Sequence, residues 1–470
     1  MAVRLVCALG LVFCLSFLKA QTLNYYFGNL HSHSGYSDGN KDSLATGVSK
    51  PAGNYAYAKL SQNFDFLGIA EHNHYSSSNN PGMIRTSYAL GLADAAAAST
   101  STFVTLYGME YGVISGGGHV VIYGFNQLIG WEASVPGLVG PNYDIFNAKT
   151  DYPGLFRLVK NNPNGFATLA HPNYTDYSFL ASTTYDSMID SAIVGVPLRN
   201  GVATNSAASY TTYAASDFFG YYRILLNRGY HIGMSYDHDN HYLNFGRGNA
   251  GRLVILAPAL TETNLYYAMK HMHFYGSDDW NAKIDFKIDA SIMGDTTSGS
   301  GNPTINVVHN DGDGEMADSI KIWSGKSGSG IDPVIIAMVK TSNTLSFTDN
   351  SITFTDTAKY YLAEIIQADG QRVITSPIWY TKRIYAGIKE HKKDFDFLMF
   401  PNPASSKLNL STGINSKYSV EIFDVSGKIV YSESFTTPDA TVLTQNLAQG
   451  YYTLKVSSAT LTKTKKLVIE

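Results

Sequence analysis

Asn29-Leu30-His31-Ser32-His33-Ser34-Gly35-Tyr36-Ser37-Asp38-Gly39-Asn40 is the stretch whose reading decides the fold. It follows the apolar run Tyr25–Leu30. Residues i and i+2 of an extended chain face the same way, so His31 and His33 can converge on one ion. Ser37-Asp38-Gly39 then supplies a carboxylate from a turn. The pattern recurs along the chain: an apolar run stops and a metal-ligating residue follows. Phe64–Ala70 leads into Glu71-His72-Asn73-His74, and Phe103–Tyr107 into Gly108-Met109-Glu110. His119 stands between Gly116-Gly117-Gly118 and Val120–Tyr123, and Phe166–Ala170 is followed by His171-Pro172. Beyond Ala192–Val196 and His231–Met234 comes Asp237-His238-Asp239-Asn240-His241. Singly these fragments carry little, since a lone His-Pro is a turn. In order, each at the end of a strand, they describe one face of an α/β barrel, where the C-terminal ends of the strands gather.

The intervening segments Tyr55–Gln62, Met83–Ala98, Tyr152–Asn161 and Ser216–Arg228 can be helical. Strands alternating with helices predict parallel α/β architecture, and the number of units suits a (β/α) barrel over residues 21–280. After Trp280 the texture changes. Short alternating strands at Lys283–Ile288, Thr304–His309, Ser319–Trp323, Thr344–Thr348, Tyr360–Gln367 and Ile378–Tyr380 predict a β-sandwich over 281–385. Residues 386–396 read as a charged linker, and 397–470 as a second small β-sandwich. There is no tandem internal repeat.

At 470 residues the chain is too long for one typical domain. Hydrophobic residues make up 44% and charged residues 15%, enough apolar side chain for packed cores. Residues 1–20 read as a signal peptide: Arg4, then the apolar run Leu5–Leu18, then Lys19-Ala20 at a cleavage point. Both cysteines, Cys7 and Cys14, lie inside it, so the mature chain has neither a disulfide nor a thiolate metal site. Any metal must be held by histidine and carboxylate. Without that segment Lys+Arg falls from 34 to 32 against 38 acids, a charge of -6 that argues against long nucleic acid as partner. No later run is long and apolar enough for a transmembrane helix. Eleven of 13 histidines fall between His31 and His273.

The ordered fragments resemble the PHP family, named for its polymerase-associated and histidinol-phosphatase members. HxH with a Ser-Asp-Gly turn, a His after the second strand, Gly-x-Glu, a His before the fourth strand, His-Pro and a final Asp-x-His are all present between about 24 and 280. The resemblance implies a distorted (β/α)7 TIM-like barrel with a trinuclear metal centre. It implies His31, His33, Glu110 and Asp239 on one ion; Glu110 bridging to a second held by His119 and His171; and Asp38, His72 and His241 on the third. Glu110, Asp239 and His241 are thereby implied in catalysis. Two departures stand out. The family's usual Thr-Asp-His is Ala70-Glu71-His72 here. The final motif offers two registers, of which Asp239-Asn240-His241 gives the Asp-x-His spacing, with Asp237 and His238 as supports.

Imidazole and carboxylate suit Zn, Mn or Fe. Two carboxylate-bridged metals roughly 3.5–4 Å apart can hold a hydroxide for in-line attack on phosphorus, which predicts a phosphatase or phosphodiesterase acting on a small phosphorylated substrate. His74, His238 and Asp237 are candidates for general acid by proximity in sequence. The alternatives are a metal-dependent hydrolase of a non-phosphate bond, and a surface binding protein with a structural metal site. His271-Met272-His273 at a helix end and His231 read as structural, and Arg247 as a loop arginine that could clamp phosphate. Asp311-Gly312-Asp313-Gly314-Glu315 resembles part of a calcium loop without the 12-residue spacing and reads as an acidic turn.

Residues 397–470, with Phe400-Pro401-Asn402-Pro403, Val420–Lys428 and Gly450-Tyr451-Tyr452, resemble the C-terminal sorting domain of the type IX secretion system. That implies a secreted or surface protein, exported through the periplasm, with the secretion machinery as partner.

Overall fold

The computed structural model describes residues 22–75, 83–201, 203–210, 215–354, 358–383, 396–459 and 461–470. The expected signal peptide and nearly all of the expected linker lie outside these residues. The chain divides into two compact units, Met1–Ile384 and Tyr385–Glu470.

In the first unit nine strands form a curled mixed sheet: β1 (Asn24–Asn29), β2 (Phe66–His72), β3 (Val104–Val113), β4 (Gly118–Tyr123), β5 (Phe166–Ala170), β6 (Ile193–Asn200), β7 (Gly233–Asp237), β8 (Arg252–Ala257) and β9 (Phe274–Ser277). Their order is β9-β8-β1-β2-β3-β4-β5-β6-β7. β1, β2 and β3 are parallel, as are β5, β6 and β7. β4 runs antiparallel to both its neighbours, and β8 antiparallel to β1. Helices α1 (Pro51–Ala58), α2 (Arg85–Ala98), α3 (Tyr152–Asn161), α4 (Phe219–Arg228) and α5 (Glu262–Lys270) accompany it. The architecture is therefore mixed α/β, with fewer crossover helices than strict alternation predicts. Among the described residues the ladder is an open path, not a closed ring. Instead β7 lies against β9: a Cβ on Gly276 would stand 2.4 Å from the Ser235 carbonyl oxygen.

Local sequence explains the elements. Tyr152, Leu155, Phe156 and Val159 form one buried face of α3 at helical spacing. The Asp151 carboxylate caps that helix by accepting from the Gly154 N–H, and Pro153 sits in its first turn. β2 is buried almost throughout, as expected of a parallel strand covered on both faces. β3 does not stop at Tyr107: β4 returns beside it through Gly117 and Gly118 at φ +116° and +94°, so the ladder continues to Val113. Glu110 thus projects from within a strand.

β9 also pairs with Arg372–Thr375, so the sheet runs without a break into Lys359–Gln367, Ala317–Lys326 and Ile378–Lys382. A second layer of Lys283–Ile288, Thr304–Asn310 and Thr344–Thr348 packs on it. Alternate residues Ile284, Phe286, Ile305 and Val307 meet Ile320, Ile322, Ala363 and Ile365 in that core. Phe27, Val254 and Leu256 belong to the same core, which is why β1 and β8 are apolar on both faces.

The second unit is a β-sandwich of a three-stranded sheet (Leu398–Phe400, Lys407–Ser411, Asp439–Leu443) and a four-stranded one (Tyr418–Phe423, Ile429–Phe435, Gly450–Ser458, Thr462–Ile469). Leu408, Leu410, Val420, Ile422, Val442, Leu454 and Val456 fill it. Among the described residues no helix is long and apolar enough to cross a membrane.

Candidate metal centre

The His31–His33 segment is held from two sides. The Ser32 hydroxyl donates to the Gly68 carbonyl at 2.8 Å and the Ala70 N–H donates to the Ser32 carbonyl at 2.9 Å, tying it to β2. The His33 N–H donates to the Asn240 carbonyl, and the Asp239 N–H to the His31 carbonyl, tying it to the segment after β7. The Asn29 side-chain oxygen accepts from both the His31 and His238 N–H groups. Gly68 leaves room for Tyr123, whose hydroxyl donates to the Leu30 carbonyl at 2.7 Å; a Cβ at Gly68 would stand 2.2 Å from that hydroxyl oxygen. These bonds fix the main chain that carries both imidazoles before any ion binds.

The side chains predicted from sequence come together. His31, His33, Asp38, His72, Glu110, His119, His171, Asp239 and His241 form four overlapping groups whose ligand atoms lie within 4.8 Å of one another in each group. Glu110 is the hub. Its Oε1 faces His31 Nε2 at 3.1 Å, His119 Nδ1 at 3.0 Å and His171 Nε2 at 3.1 Å. Its Oε2 faces His33 Nε2 at 3.3 Å and His72 Nδ1 at 3.0 Å. Asp239 Oδ1 lies 3.2 Å from His33 Nε2 and 3.5 Å from His31 Nε2. Asp38 Oδ1 lies 3.1 Å from His241 Nε2 and 3.6 Å from His72 Nε2. His33 joins the Asp38, His72 and His241 group, and His72 joins Glu110 and His119, so the groups share more residues than the sequence pattern implies.

Two registers were open at 237–241, and the geometry separates them. Asp237 lies behind His31, its Oδ2 3.1 Å from Nδ1, while Nε2 of the same ring points inward to Glu110 and Asp239. A carboxylate on the outer nitrogen fixes the tautomer that leaves the inner lone pair free for a metal. His238 is turned away, its Nε2 2.7 Å from the Gly251 carbonyl oxygen. His74 is partly exposed and stacks on Trp131 at 5.6 Å between ring centroids. His171 and Asp239 have φ of +33° and +51°, strained values for non-glycine residues of the kind that collect at functional sites.

The donor set suits divalent ions. His31 Nε2, both ring nitrogens of His33, Asp38 Oδ1, His72 Nδ1 and Glu110 Oε2 are buried without a hydrogen-bond partner. Orphaned buried polar atoms cost about 1–3 kcal/mol each, and an ion at their focus satisfies them together. Electrostatics agrees. Burial opposes charge on His31, yet Glu110 and Asp239 push its pKa well above the usual value. Burial likewise opposes charge on His33, but Asp239 and Glu110 raise it to about 10. Burial drives His72 well below its usual value, leaving it neutral. Burial would raise Asp38 and Asp239, but the surrounding imidazoles hold both well below the carboxylate range. The pocket thus balances negative charge with protons that a metal can replace.

Sequence reasoning missed Glu71 as a working residue. It is fully buried, and both the Ser34 and Ser37 hydroxyls donate to its carboxylate, as does the Ser34 N–H at 3.1 Å. Glu71 therefore braces the turn that presents Asp38. Burial pushes its pKa up to about 7. Asn200 was missed too: its amide donates to Asp239 Oδ2 at 3.0 Å. Neither has a spacing signal, since each acts on a residue distant in sequence. The remaining candidates lie elsewhere. His271 Nδ1 is 2.7 Å from the Tyr267 carbonyl oxygen, His273 pairs with Asp295, and His231 pairs with Asp190. Arg247 is occupied, its Nε donating to the Ser61 hydroxyl and its guanidinium lying 4.3 Å over the Tyr57 ring.

Residues 398–470 match the family described as secretion system C-terminal sorting domain. No curated protein matches the chain. Among solved structures, a two-domain protein from Bacteroides vulgatus containing a predicted PHP-like metal-dependent phosphoesterase aligns over 76% of this chain and 95% of its own, at 13% identity and TM-score 0.36. PorZ, a surface component of the type IX secretion system of Porphyromonas gingivalis, aligns over 47% of this chain and 29% of its own, at 16% identity and TM-score 0.15.

Proposed function

We propose that this chain is a secreted metal-dependent phosphoesterase of the PHP kind. Its C-terminal sorting domain marks it for export by type IX secretion to the cell surface or beyond. In this reading residues 1–20 are a signal peptide for passage through the periplasm, and 21–280 are the catalytic unit, a distorted (β/α)7 barrel. Residues 281–385 are an accessory sandwich, and 386–396 a linker to the sorting domain. The observation that carries the reading is the burial of one carboxylate, Glu110, among five inward-facing imidazole nitrogens at 3.0–3.3 Å. A lone carboxylate cannot satisfy so many donors and lone pairs, whereas a cluster of divalent ions can.

Three ions of Zn, Mn or Fe are assigned here. His31, His33, Glu110 and Asp239 would hold the first, Glu110, His119 and His171 the second, and Asp38, His72 and His241 the third. When bound, such ions activate water and neutralise the oxygens of a phosphoryl group. The protein's own contribution is positioning. Asp237 orients His31, Asn200 orients Asp239, and Glu71 holds the Asp38 turn through Ser34 and Ser37. Glu110 spans the groups from a strand paired on both sides, which fixes its main chain, and its buried carboxylate is enclosed by the five imidazoles. Trp131 packs on His74, whose ring lies 5.7 Å from that of His72, and stands edge-on to Tyr111.

The test is hydrolysis of p-nitrophenyl phosphate and of its bis-ester by the mature chain loaded with Mn or Zn, beside Glu110→Ala. Metal-dependent release that the variant abolishes is expected. Excess inorganic phosphate should inhibit; turnover of amide substrates insensitive to phosphate would replace this reading with a non-phosphate hydrolase.

A further inference from the structure

A second group of acidic side chains lies in the sandwich, outside the centre described above. Asp279 follows β9, Asp311 and Glu315 lie in the turn after Thr304–Asn310, and their carboxylates bring ligand oxygens within 4.8 Å of one another. Asp279 and Asp311 are buried and Glu315 is half-buried. Among the described residues no Lys or Arg forms an ion pair with any of them. The polypeptide shapes the turn through Asp311 Oδ1, which accepts from the Asp313 and Glu315 N–H groups at 2.7 and 3.0 Å. Asp279 Oδ1 accepts from the Asn281 and Ala282 N–H groups.

Acidic turns without ions are common, and a second observation sets this one apart. Gln367, the last residue of Lys359–Gln367, is 99% buried (1% exposed), and its amide lies against the group, Nε2 donating to Asp311 Oδ2 at 3.2 Å. The oxygen of that same amide is buried and has no partner. The amide presents its nitrogen to Asp311; a half-turn of the planar group exchanges its two ends and brings the oxygen to that position, facing the carboxylates. Three carboxylates and a neutral amide oxygen are an all-oxygen donor set, which suits a hard cation and not the borderline metals of the imidazole centre. Burial, with Asp311 and Glu315 nearby, pushes Asp279 up to about 6.

We propose that Asp279, Asp311, Glu315 and the Gln367 amide oxygen form a calcium site that staples three segments of the sandwich. The segments are the link leaving β9, the turn after Thr304–Asn310, and the end of Lys359–Gln367. An exported protein meets free calcium at the concentrations that extracellular sites bind, with Kd on the order of 10⁻⁴–10⁻³ M.

Trp280 stands next to Asp279 and makes the site readable. The full chain is stripped of metal, its imidazole centre is refilled with Zn, and Tb³⁺ is added as a calcium probe with excitation of tryptophan. Sensitised emission that Ca²⁺ displaces is expected. It should survive Trp131→Phe and be lost in Trp280→Phe, Asp311→Asn and Glu315→Gln. About 10 mM Ca²⁺ should raise Tm by about 2–4 °C in the parent and not in Glu315→Gln, whose side chain is half-exposed and whose substitution leaves the core intact. Absence of calcium-displaceable emission, or a Tm rise undiminished in Glu315→Gln, would overturn the site.

Discussion

Replacing Asp237 by Asn tests the architecture behind the imidazoles. Asp237 Oδ2 accepts a hydrogen bond from His31 Nδ1 at 3.1 Å, and both side chains are buried. The bond keeps the proton on the outer nitrogen and the lone pair of Nε2 toward Glu110 and Asp239. Asparagine preserves the shape and one acceptor but removes the charge. A hydrogen bond to a charged group contributes about 1.5–3 kcal/mol. Loss of such an outer partner lowers metal affinity by about 10–100-fold, or about 1.4–2.7 kcal/mol, so the two scales agree. The assay is competition with a chromophoric chelator on the full chain, with circular dichroism as control for folding. The tightest-held ions should weaken by that factor, and His31→Ala should weaken them more. Two results would refute the reasoning. Affinity unchanged within twofold would mean that the bond orients nothing. A loss equal to that of His31→Ala would mean that Asp237 is itself a ligand.

Glu110→Gln should lower hydrolysis on the order of 10³-fold and reduce the rise in Tm that metal gives, since the isosteric amide keeps the packing but not the charge at the hub; initial rates and thermal melts with and without metal read both. Metal affinity should rise with pH through neutrality. His31, His33 (about 10) and His171 have pKa values raised by Glu110 and its neighbours over the opposing effect of burial, so metals must displace their protons, about tenfold in affinity per pH unit for each proton displaced. In the metal-free protein the same three histidines contribute stability that is complete below the unfolded value near 6.5 and lost as pH rises through their raised values, which denaturant melts at several pH values check. Gly91→Ala should destabilise by about 1–3 kcal/mol, because the new Cβ would lie 1.9 Å from the Tyr107 ring where α2 crosses β3; chemical denaturation measures it.

Much of this centre was legible because its ligands come in short-range pairs set by strand geometry. His31 and His33 share a face by period two, and His171 follows β5, whose bounds Phe166–Ala170 are those read from the apolar run. Helix Tyr152–Asn161 was legible for the same kind of reason, a cap and an unambiguous period. Strand ends set by pairing were not. β3 runs to Val113 because β4 folds back on it, and no property of Gly108–Val113 alone announces that partner. β8 went unread although Leu253–Ala257 is uniformly apolar, since its identity as a strand comes from β1, more than 200 residues earlier. The continuity of the sheet through β9 and Arg372–Thr375 is likewise a long-range pairing. Glu71 and Asn200 work through residues remote in sequence, which only the fold brings near.

The central claim is that nine side chains from seven places in the sequence hold divalent ions. Elemental analysis of the purified full chain, dialysed against metal-free buffer after loading with Zn or Mn, tests it most directly. The account predicts a content approaching three ions per chain that falls by at least one in Glu110→Ala and is unchanged in His271→Ala. Retention of one ion or none by the parent, or an undiminished content in Glu110→Ala, would contradict it.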